Sequence, residues 1–269
     1  MKNIQKNFFE SSENWQTKKF SKPNSTIRVA SLFSGIGAFE QALDILGLKS
    51  KIVLACDNDQ FVKKSFFANY EINEKNWFDD VQEINGTKFK NKVDLLVGGA
   101  PCQSFSMVGK RLGLKDTRGN LTLHFIKKIN EIKPKVFIFE NVRALLSVDN
   151  GDAWKIIYNK FKQTGYTFYY NTLNAKNFGI PQNRERLFVI GFKNKQNFLF
   201  PQPIKLKNTM QDYLEGQFDK KFYLPPKGVA FVTKNKNLKK RYTQVNGKIA
   251  LCQKRNQQFN WHGDFIQVK

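Results

Sequence analysis

Short apolar runs alternate with amphipathic segments from Ile27 to Phe192, and this alternation constrains the fold more than any other feature of the chain. The apolar runs occupy residues 27–33, 52–56, 93–97, 136–139, 166–173 and 187–192. Between them, apolar residues recur at helical spacing, as at Phe39, Ala42 and Leu43. Strands separated by helices form a mainly parallel sheet that is covered on both faces. The sequence therefore predicts an α/β fold built on a mainly parallel, doubly wound sheet.

The net charge indicates the class of partner. The 269 residues include 45 Lys and Arg against 22 Asp and Glu, a formal net charge of +23. Such an excess is typical of proteins that bind a polyanion, most simply nucleic acid, although a basic protein that is merely well solvated is the alternative. Residues 194–269 alone contain 15 Lys and Arg against 4 Asp and Glu. The sequence predicts phosphate contacts in this region at Lys239, Lys240 and Arg241.

Cysteine and histidine usage argues against several classes of site. The three cysteines are widely spaced and form no CxxC pair, and there are only two histidines. This pattern indicates a reducing cytoplasm and predicts no disulfide framework, zinc site or Ser-His-Asp triad. No apolar stretch has membrane-spanning length, and the polar residues 1–26 resemble an extension more than a targeting signal. We therefore expect a cytoplasmic protein that binds neither a metal nor a membrane.

Chemically active residues directly follow the ends of the predicted strands. Parallel sheets bind ligands beyond the carboxyl ends of their strands, so these residues are expected to share one rim. They are Gly35, Gly37, Asp57, Cys102, and Glu140 with Asn141. Cys102 lies in Ala-Pro-Cys-Gln-Ser-Phe-Ser, where a rigid turn would present a thiol to a substrate. Considered alone, such a cysteine is more simply a small buried hydrophobic residue.

The turn Phe33–Gly37 indicates a cofactor site. It lacks the third glycine of the dinucleotide fingerprint, and a lone GxG equally fits an ordinary tight turn. Asp57 at the end of the next strand favours a cofactor, because an acidic group there can bind ribose hydroxyls. A nucleoside-containing cofactor without a pyrophosphate, such as S-adenosylmethionine, would suit this pair.

Two further segments place charge next to apolar strands. Glu140 follows a wholly apolar run, so desolvation should favour its neutral form and let it share a proton, with a helix-capping role as the alternative. Arg184 and Arg186 occupy alternate positions before the strand at 187–192 and are expected to point the same way. They would engage a phosphate or a base carbonyl as planar donors, whereas a surface charge pair is the simpler alternative.

Five segments together, in this order, closely resemble the cytosine carbon-5 DNA methyltransferases, and in particular the bacterial enzymes of type II restriction-modification systems. They are Phe33–Gly37, Pro101–Gln103, Asp116–Leu121, Glu140–Val142 and Gln182–Arg186. The resemblance implies a Rossmann-like, S-adenosylmethionine-dependent methyltransferase domain over residues 27–193. It also implies that residues 194–269 are part of a basic target-recognition domain.

The resemblance implies a role for each catalytic residue. Cys102 would attack carbon 6 of a cytosine that is flipped out of duplex DNA, forming a covalent adduct. Glu140 would hold or protonate ring nitrogen 3, while Arg186 would contact the carbonyl oxygen of the base. Arg184 would support the thiolate by its positive charge. Carbon 5 of the base would then accept the methyl group.

The resemblance also implies contacts to the cofactor and to DNA. The cofactor residues are Phe33, Gly35, Ile36, Gly37, Asp57, Asn58, Asp80, Val81, Pro101 and Leu121. Asn58 departs from the aromatic residue that is common at its position. Independently of the resemblance, the segment after Cys102 combines glycines with cations, which predicts a lid that closes over DNA, with a long flexible surface loop as the alternative. Its DNA contacts are Gln103, Ser106, Lys110, Arg111 and Arg118.

The C-terminal segments of the family, which follow the target-recognition domain and include a final helix that completes the cofactor pocket, are not found before Lys269. We therefore expect a truncated chain or a split enzyme whose second polypeptide supplies them, with an inactive remnant as the third explanation. Two rival functions are also considered. A transfer-RNA cytosine-5 methyltransferase would share the catalytic residues, whereas a non-catalytic DNA-binding subunit would not need Cys102.

Overall fold

Seven strands form the central sheet of the computed structural model, which describes residues 19–101, 121–217, 219–253 and 261–268. In chain order they are β1 (Ile27–Leu32), β2 (Ser50–Cys56), β3 (Trp77–Phe78), β4 (Leu95–Gly98), β5 (Val136–Val142), β6 (Thr167–Asn174) and β7 (Glu185–Phe192). Their order across the sheet is β3-β2-β1-β4-β5-β7-β6. The strands β1 to β5 pair in parallel, and β7 is antiparallel to β5. The mainly parallel sheet predicted from the sequence is therefore confirmed.

Four helices cover the two faces of this sheet. They are α1 (Ala38–Ile45), α2 (Gln60–Asn69), α3 (Leu121–Ile132) and α4 (Asp152–Gln163). Successive residues of a strand face opposite sides, and Val29 of β1 packs with Leu43 of α1. The next residue, Ala30, lies in a second core with Phe125 of α3 and Phe161 of α4. Helices therefore pack on both faces, as a doubly wound sheet requires.

Strand β5 is longer than the sequence predicts. The apolar run indicates an end at Phe139, yet the strand continues to Val142. The reason is the neighbouring strand β7, which pairs with β5 along its whole length and places Val142 opposite Arg186. Glu140 is thus a strand residue with a fixed direction and not the first residue of a loop.

Tertiary contacts divide the chain into two compact units. The first combines the described parts of Met1–Thr172 with Arg186–Pro201, and the second combines Leu173–Glu185 with the described parts of Gln202–Lys269. The second unit contains α5 (Pro226–Val232), α6 (Asn235–Lys239), β8 (Thr243–Val245) and β9 (Gly263–Phe265), with β8 and β9 paired in parallel. The functional division at residue 193 stays a prediction. None of the helices in the described ranges has the length and hydropathy that a membrane span requires.

Candidate active site

The glycine turn after β1 has a left-handed backbone at three positions. Phe33, Gly35 and Gly37 have φ angles of 55°, 54° and 86°. The buried Ser34 hydroxyl secures the turn, because it lies 3.1 Å from both the backbone oxygen and the backbone nitrogen of Cys56 in β2. Gly37 is also the N-cap of α1, and no side chain caps the helix there. The turn therefore offers helix N–H groups to an anionic ligand group.

Tyr70 explains why Gly37 must be a glycine. A Cβ atom added to Gly37 would lie 2.1 Å from Cε2 of Tyr70. The Tyr70 hydroxyl donates a hydrogen bond to the Gly37 carbonyl at 2.9 Å, and its ring packs on Phe66 with the centroids 4.9 Å apart. A Cβ atom on Gly35 would meet nothing within 4 Å. The two glycines therefore share a positive φ but differ in the space around them.

Asp57 fastens the end of β2 to the glycine turn. Its Oδ2 accepts a hydrogen bond from the Gly35 N–H at 2.9 Å, and its Oδ1 accepts one from the Asp59 N–H at 3.1 Å. A carboxylate has about four acceptor positions, so each oxygen keeps capacity for a hydroxyl donor. The structure thus brings together Gly35 and Asp57, two of the residues predicted to bind a nucleoside.

The other predicted cofactor residues differ in their accessibility. Exposed or half-buried positions are Phe33, Ile36, Asn58, Asp80, Pro101 and Leu121. The side chain of Val81 is only 3% exposed and lies in the core. Any contact of Val81 with a ligand must therefore come from its backbone.

Glu140 and Arg186 form an ion pair between β5 and β7. Nε of Arg186 lies 2.9 Å from Oε1 of Glu140, and the side chains are 17% and 25% exposed. The antiparallel register explains the contact, because Val142 is opposite Arg186 and Glu140 is two residues away on the same face. A neighbouring guanidinium stabilises the charged carboxylate. The neutral form of Glu140 expected from the sequence stays a prediction.

The end of β4 approaches both polar residues of β5. A Cβ atom on Gly99 would lie 2.9 Å from Oε2 of Glu140, so the carboxylate occupies the space that a side chain would fill. The buried Asn141 amide donates from Nδ2 to the Ala100 carbonyl at 3.0 Å. Together these contacts hold the chain that leads into Pro101 and Cys102.

Several predicted residues lie outside the described residues: Cys102, Gln103, Ser106, Lys110, Arg111 and Arg118. Cys56 is described, and burial raises the pKa of its thiol to about 12, with nearby carboxylates, first that of Asp57, adding to the effect. A thiol with so high a pKa stays protonated at neutral pH and is a poor nucleophile. Cys56 is therefore unsuited to the catalytic role predicted for Cys102.

The two arginines of the predicted site have different partners. Arg186 belongs to the first unit and pairs with Glu140. Arg184 belongs to the second unit, where its Nη1 lies 3.9 Å from Sγ of Cys252. The predicted phosphate contacts of the second unit, Lys239, Lys240 and Arg241, are all exposed.

Sequence reasoning missed several residues that shape this site. Ser34 carried a usable signal, because a hydroxyl in a turn commonly bonds nearby backbone groups. Tyr70 carried none, since its partner Gly37 lies 33 residues away in the chain. Asn141 was expected at the rim, but its bond to Ala100, 41 residues away, was not predicted. Only the tertiary structure brings these residues to their partners.

Comparison with known proteins gives a consistent picture. A model of the family described as C-5 cytosine-specific DNA methylase matches residues 27–267. The orphan methyltransferase M.SPRI of Bacillus phage SPR is 38% identical over 229 residues, which cover 74% of this chain and 52% of that relative. The type II methyltransferase M.SsoII of Shigella sonnei is 37% identical over 214 residues, which cover 75% of this chain and 53% of that relative. The chain thus spans about half the length of these curated relatives.

A solved structure shows a similar fold. The Dnmt2 methyltransferase of S. pombe aligns with a TM-score of 0.70 over 90% of this chain and 77% of its own chain. The identity is 19%, so the similarity supports the fold alone.

Proposed function

This chain belongs to the C-5 cytosine-specific DNA methylase family, and on that premise we propose that it carries the catalytic region of an enzyme that methylates carbon 5 of cytosine in duplex DNA. The observation that carries the proposal is the Glu140–Arg186 ion pair beside Gly99. The acid of this pair lies beside Gly99, three residues before Cys102 in the sequence, and Arg186 is a planar donor bound to that acid, which supports the proposal.

The glycine turn and Asp57 are the proposed cofactor site. S-adenosylmethionine, when bound, supplies an electrophilic methyl group on a sulfonium. The uncapped N-terminus of α1 suits the carboxylate of its methionine part, because helix N–H groups and the helix dipole favour an anion. Asp57 keeps acceptor positions for the ribose hydroxyls after its two bonds to backbone N–H groups.

The base-activating step is assigned to Cys102, Glu140 and the two arginines. The Cys102 thiolate adds to carbon 6 of an extrahelical cytosine, and the electron pair of the 5,6 double bond moves toward ring nitrogen 3. Glu140 holds or protonates that nitrogen, and Arg186 binds the carbonyl oxygen of the base. Once carbon 5 has been methylated, its proton is lost to water, the electron pair of that C–H bond re-forms the 5,6 double bond and expels the Cys102 thiolate, and a proton held on nitrogen 3 returns to Glu140.

We propose that family segments beyond those matched here contribute to the activity. The curated relatives are about twice as long as the part that this chain matches. Two large apolar side chains beside the proposed cofactor site, Ile36 and Phe61, are 69% and 80% exposed. The remaining family segments, supplied by a second polypeptide or by a continuation of this one, are proposed to cover them.

Transfer of a labelled methyl group tests the function. The purified chain, alone and with a polypeptide that carries the remaining family segments, is incubated with labelled S-adenosylmethionine and either duplex DNA or transfer RNA. We expect label in DNA only when both polypeptides are present. Duplex DNA with 5-fluorocytosine should trap a covalent adduct that Cys102→Ala abolishes and the matched variant Cys56→Ala retains. Label in transfer RNA alone, or an adduct that persists in Cys102→Ala, contradicts the proposal.

A further inference from the structure

The second unit contains a hydrogen-bonded connection that runs from the β8–β9 ribbon to Arg184. We infer that Cys252 and Asp264 are positioning residues for the Arg184 guanidinium. This inference rests on the proposed function, because it gives the connection a purpose in the base-activating step. The resemblance to the methyltransferase family implies a role for Arg184 but none for Cys252 or Asp264.

The first link is a short backbone bridge. The Ala250 N–H donates to the Pro181 carbonyl at 2.7 Å, and the Asn183 N–H donates to the Ala250 carbonyl at 2.8 Å. Ala250 is therefore bonded on both sides of Gln182, with which it forms an isolated parallel bridge. This bridge fixes the segment 181–183 immediately before Arg184.

The second link concerns Arg184 itself. Its backbone N–H lies 3.0 Å from the Gln182 carbonyl and 3.2 Å from Oδ1 of Asn174, and its carbonyl accepts from the Ala175 N–H at 3.0 Å. The guanidinium Nη1 reaches Sγ of Cys252 at 3.9 Å. The backbone of Arg184 is thus held by residues 174–182. Its guanidinium, in contrast, contacts Cys252, which lies 68 residues further along the chain.

The third link holds the segment that carries Cys252. Asp264 of β9 accepts from the Leu251 N–H at 2.9 Å through one oxygen and from Nε2 of Gln244 at 2.8 Å through the other. Nε2 of Gln244, in β8, also lies 2.7 Å from the Ile249 carbonyl. Asp264 therefore ties Leu251 to the ribbon directly, and it orients the Gln244 amide that binds Ile249 on the other side of Ala250. Both oxygens of the Asp264 carboxylate accept a hydrogen bond. An asparagine at this position has only one such oxygen, so its NH₂ group would face the other donor and that bond would be lost.

A matched pair of substitutions tests the inference in the active enzyme that contains the remaining family segments. Asp264→Asn should break the connection, whereas Asn246→Ala removes a bond of similar kind, from the Gln267 N–H at 3.0 Å, without touching residues 249–252. We expect Asp264→Asn to lower the single-turnover rate of methyl transfer at least about tenfold, with an unchanged dissociation constant for S-adenosylmethionine. Asn246→Ala should leave both quantities unchanged.

Cys252 gives a second test that does not depend on the folding of Asp264→Asn. Cys252→Ser keeps an acceptor for the guanidinium and should retain most of the rate, whereas Cys252→Leu removes the acceptor and should lose it. The alkylation rate of Cys252, followed by peptide mass spectrometry, should change in Arg184→Leu but not in Asn246→Ala.

The two proposals fail in different ways. An inactive wild-type enzyme contradicts the proposed function. An active wild type with equal single-turnover rates for Asp264→Asn and Asn246→Ala, or for Cys252→Ser and Cys252→Leu, overturns the positioning role alone.

Discussion

Replacing Gly37 by alanine should damage both the stability of the fold and the proposed cofactor site. Gly37 has a φ of 86°, and a non-glycine residue in that left-handed region costs about 1–2 kcal/mol. Its new Cβ would also lie 2.1 Å from the Tyr70 ring, which must move and break its 2.9 Å hydrogen bond to the Gly37 carbonyl. Loss of that bond adds about 1 kcal/mol. The expected total is about 2–3 kcal/mol.

Gly35 provides the matched control within the same turn. Its φ is 54°, but an added Cβ would meet nothing within 4 Å. Gly35→Ala should therefore lower the free energy of unfolding only by the cost of the left-handed backbone, about 1–2 kcal/mol. Urea and thermal unfolding give the two free energies, and titration with S-adenosylmethionine gives the loss of binding. Gly37→Ala should lower the Tm by about 4–12 °C, since each kcal/mol corresponds to about 2–4 °C in chains of this size.

A double-mutant cycle with Tyr70 separates the steric effect from the backbone effect. Tyr70→Ala removes the ring that the new Cβ would meet, so Gly37→Ala should cost about 1 kcal/mol less in that background than in the wild type. Equal destabilisation by Gly35→Ala and Gly37→Ala, or strict additivity in the cycle, would refute the reasoning.

Three further predictions concern charge and close approach. Burial raises the pKa of Glu40, so its contribution to stability should fall as the pH rises from the ordinary glutamate range through the raised pKa. Glu40→Gln should flatten that slope in unfolding experiments and exceed the wild type in stability at pH 8, whereas an unchanged slope contradicts the assignment. Asp94 accepts hydrogen bonds from Arg28 and Lys135, which hold the pKa of its carboxyl far below its usual range. Asp94→Asn should therefore cost about 2 kcal/mol at neutral pH, and the difference from the wild type should shrink as the pH falls below the range of an unfolded aspartate. Gly99→Ala should displace the Glu140 carboxylate and lower the single-turnover rate, while cofactor affinity stays unchanged; a wild-type rate would show that the close approach has no function.

The sequence by itself determined the architecture of this protein, and it indicated which residues at the strand ends are candidates for the site. Alternating apolar runs and amphipathic segments are local patterns, and they predicted the mainly parallel sheet with helices on both faces. Residues at strand ends could be selected because parallel strands align their carboxyl ends. That rule chose Gly35 and Asp57, which the structure joins by a hydrogen bond of 2.9 Å.

The tertiary structure alone decided how the polar residues are partnered. The antiparallel pairing of β5 with β7 makes Glu140 a strand residue and places it on the same face as Arg186. The same fold assigns Arg184 to the other unit and gives it Cys252 as a partner. Strand register and contacts between residues 40 or more positions apart depend on how the whole core packs, and a local pattern contains no information about them.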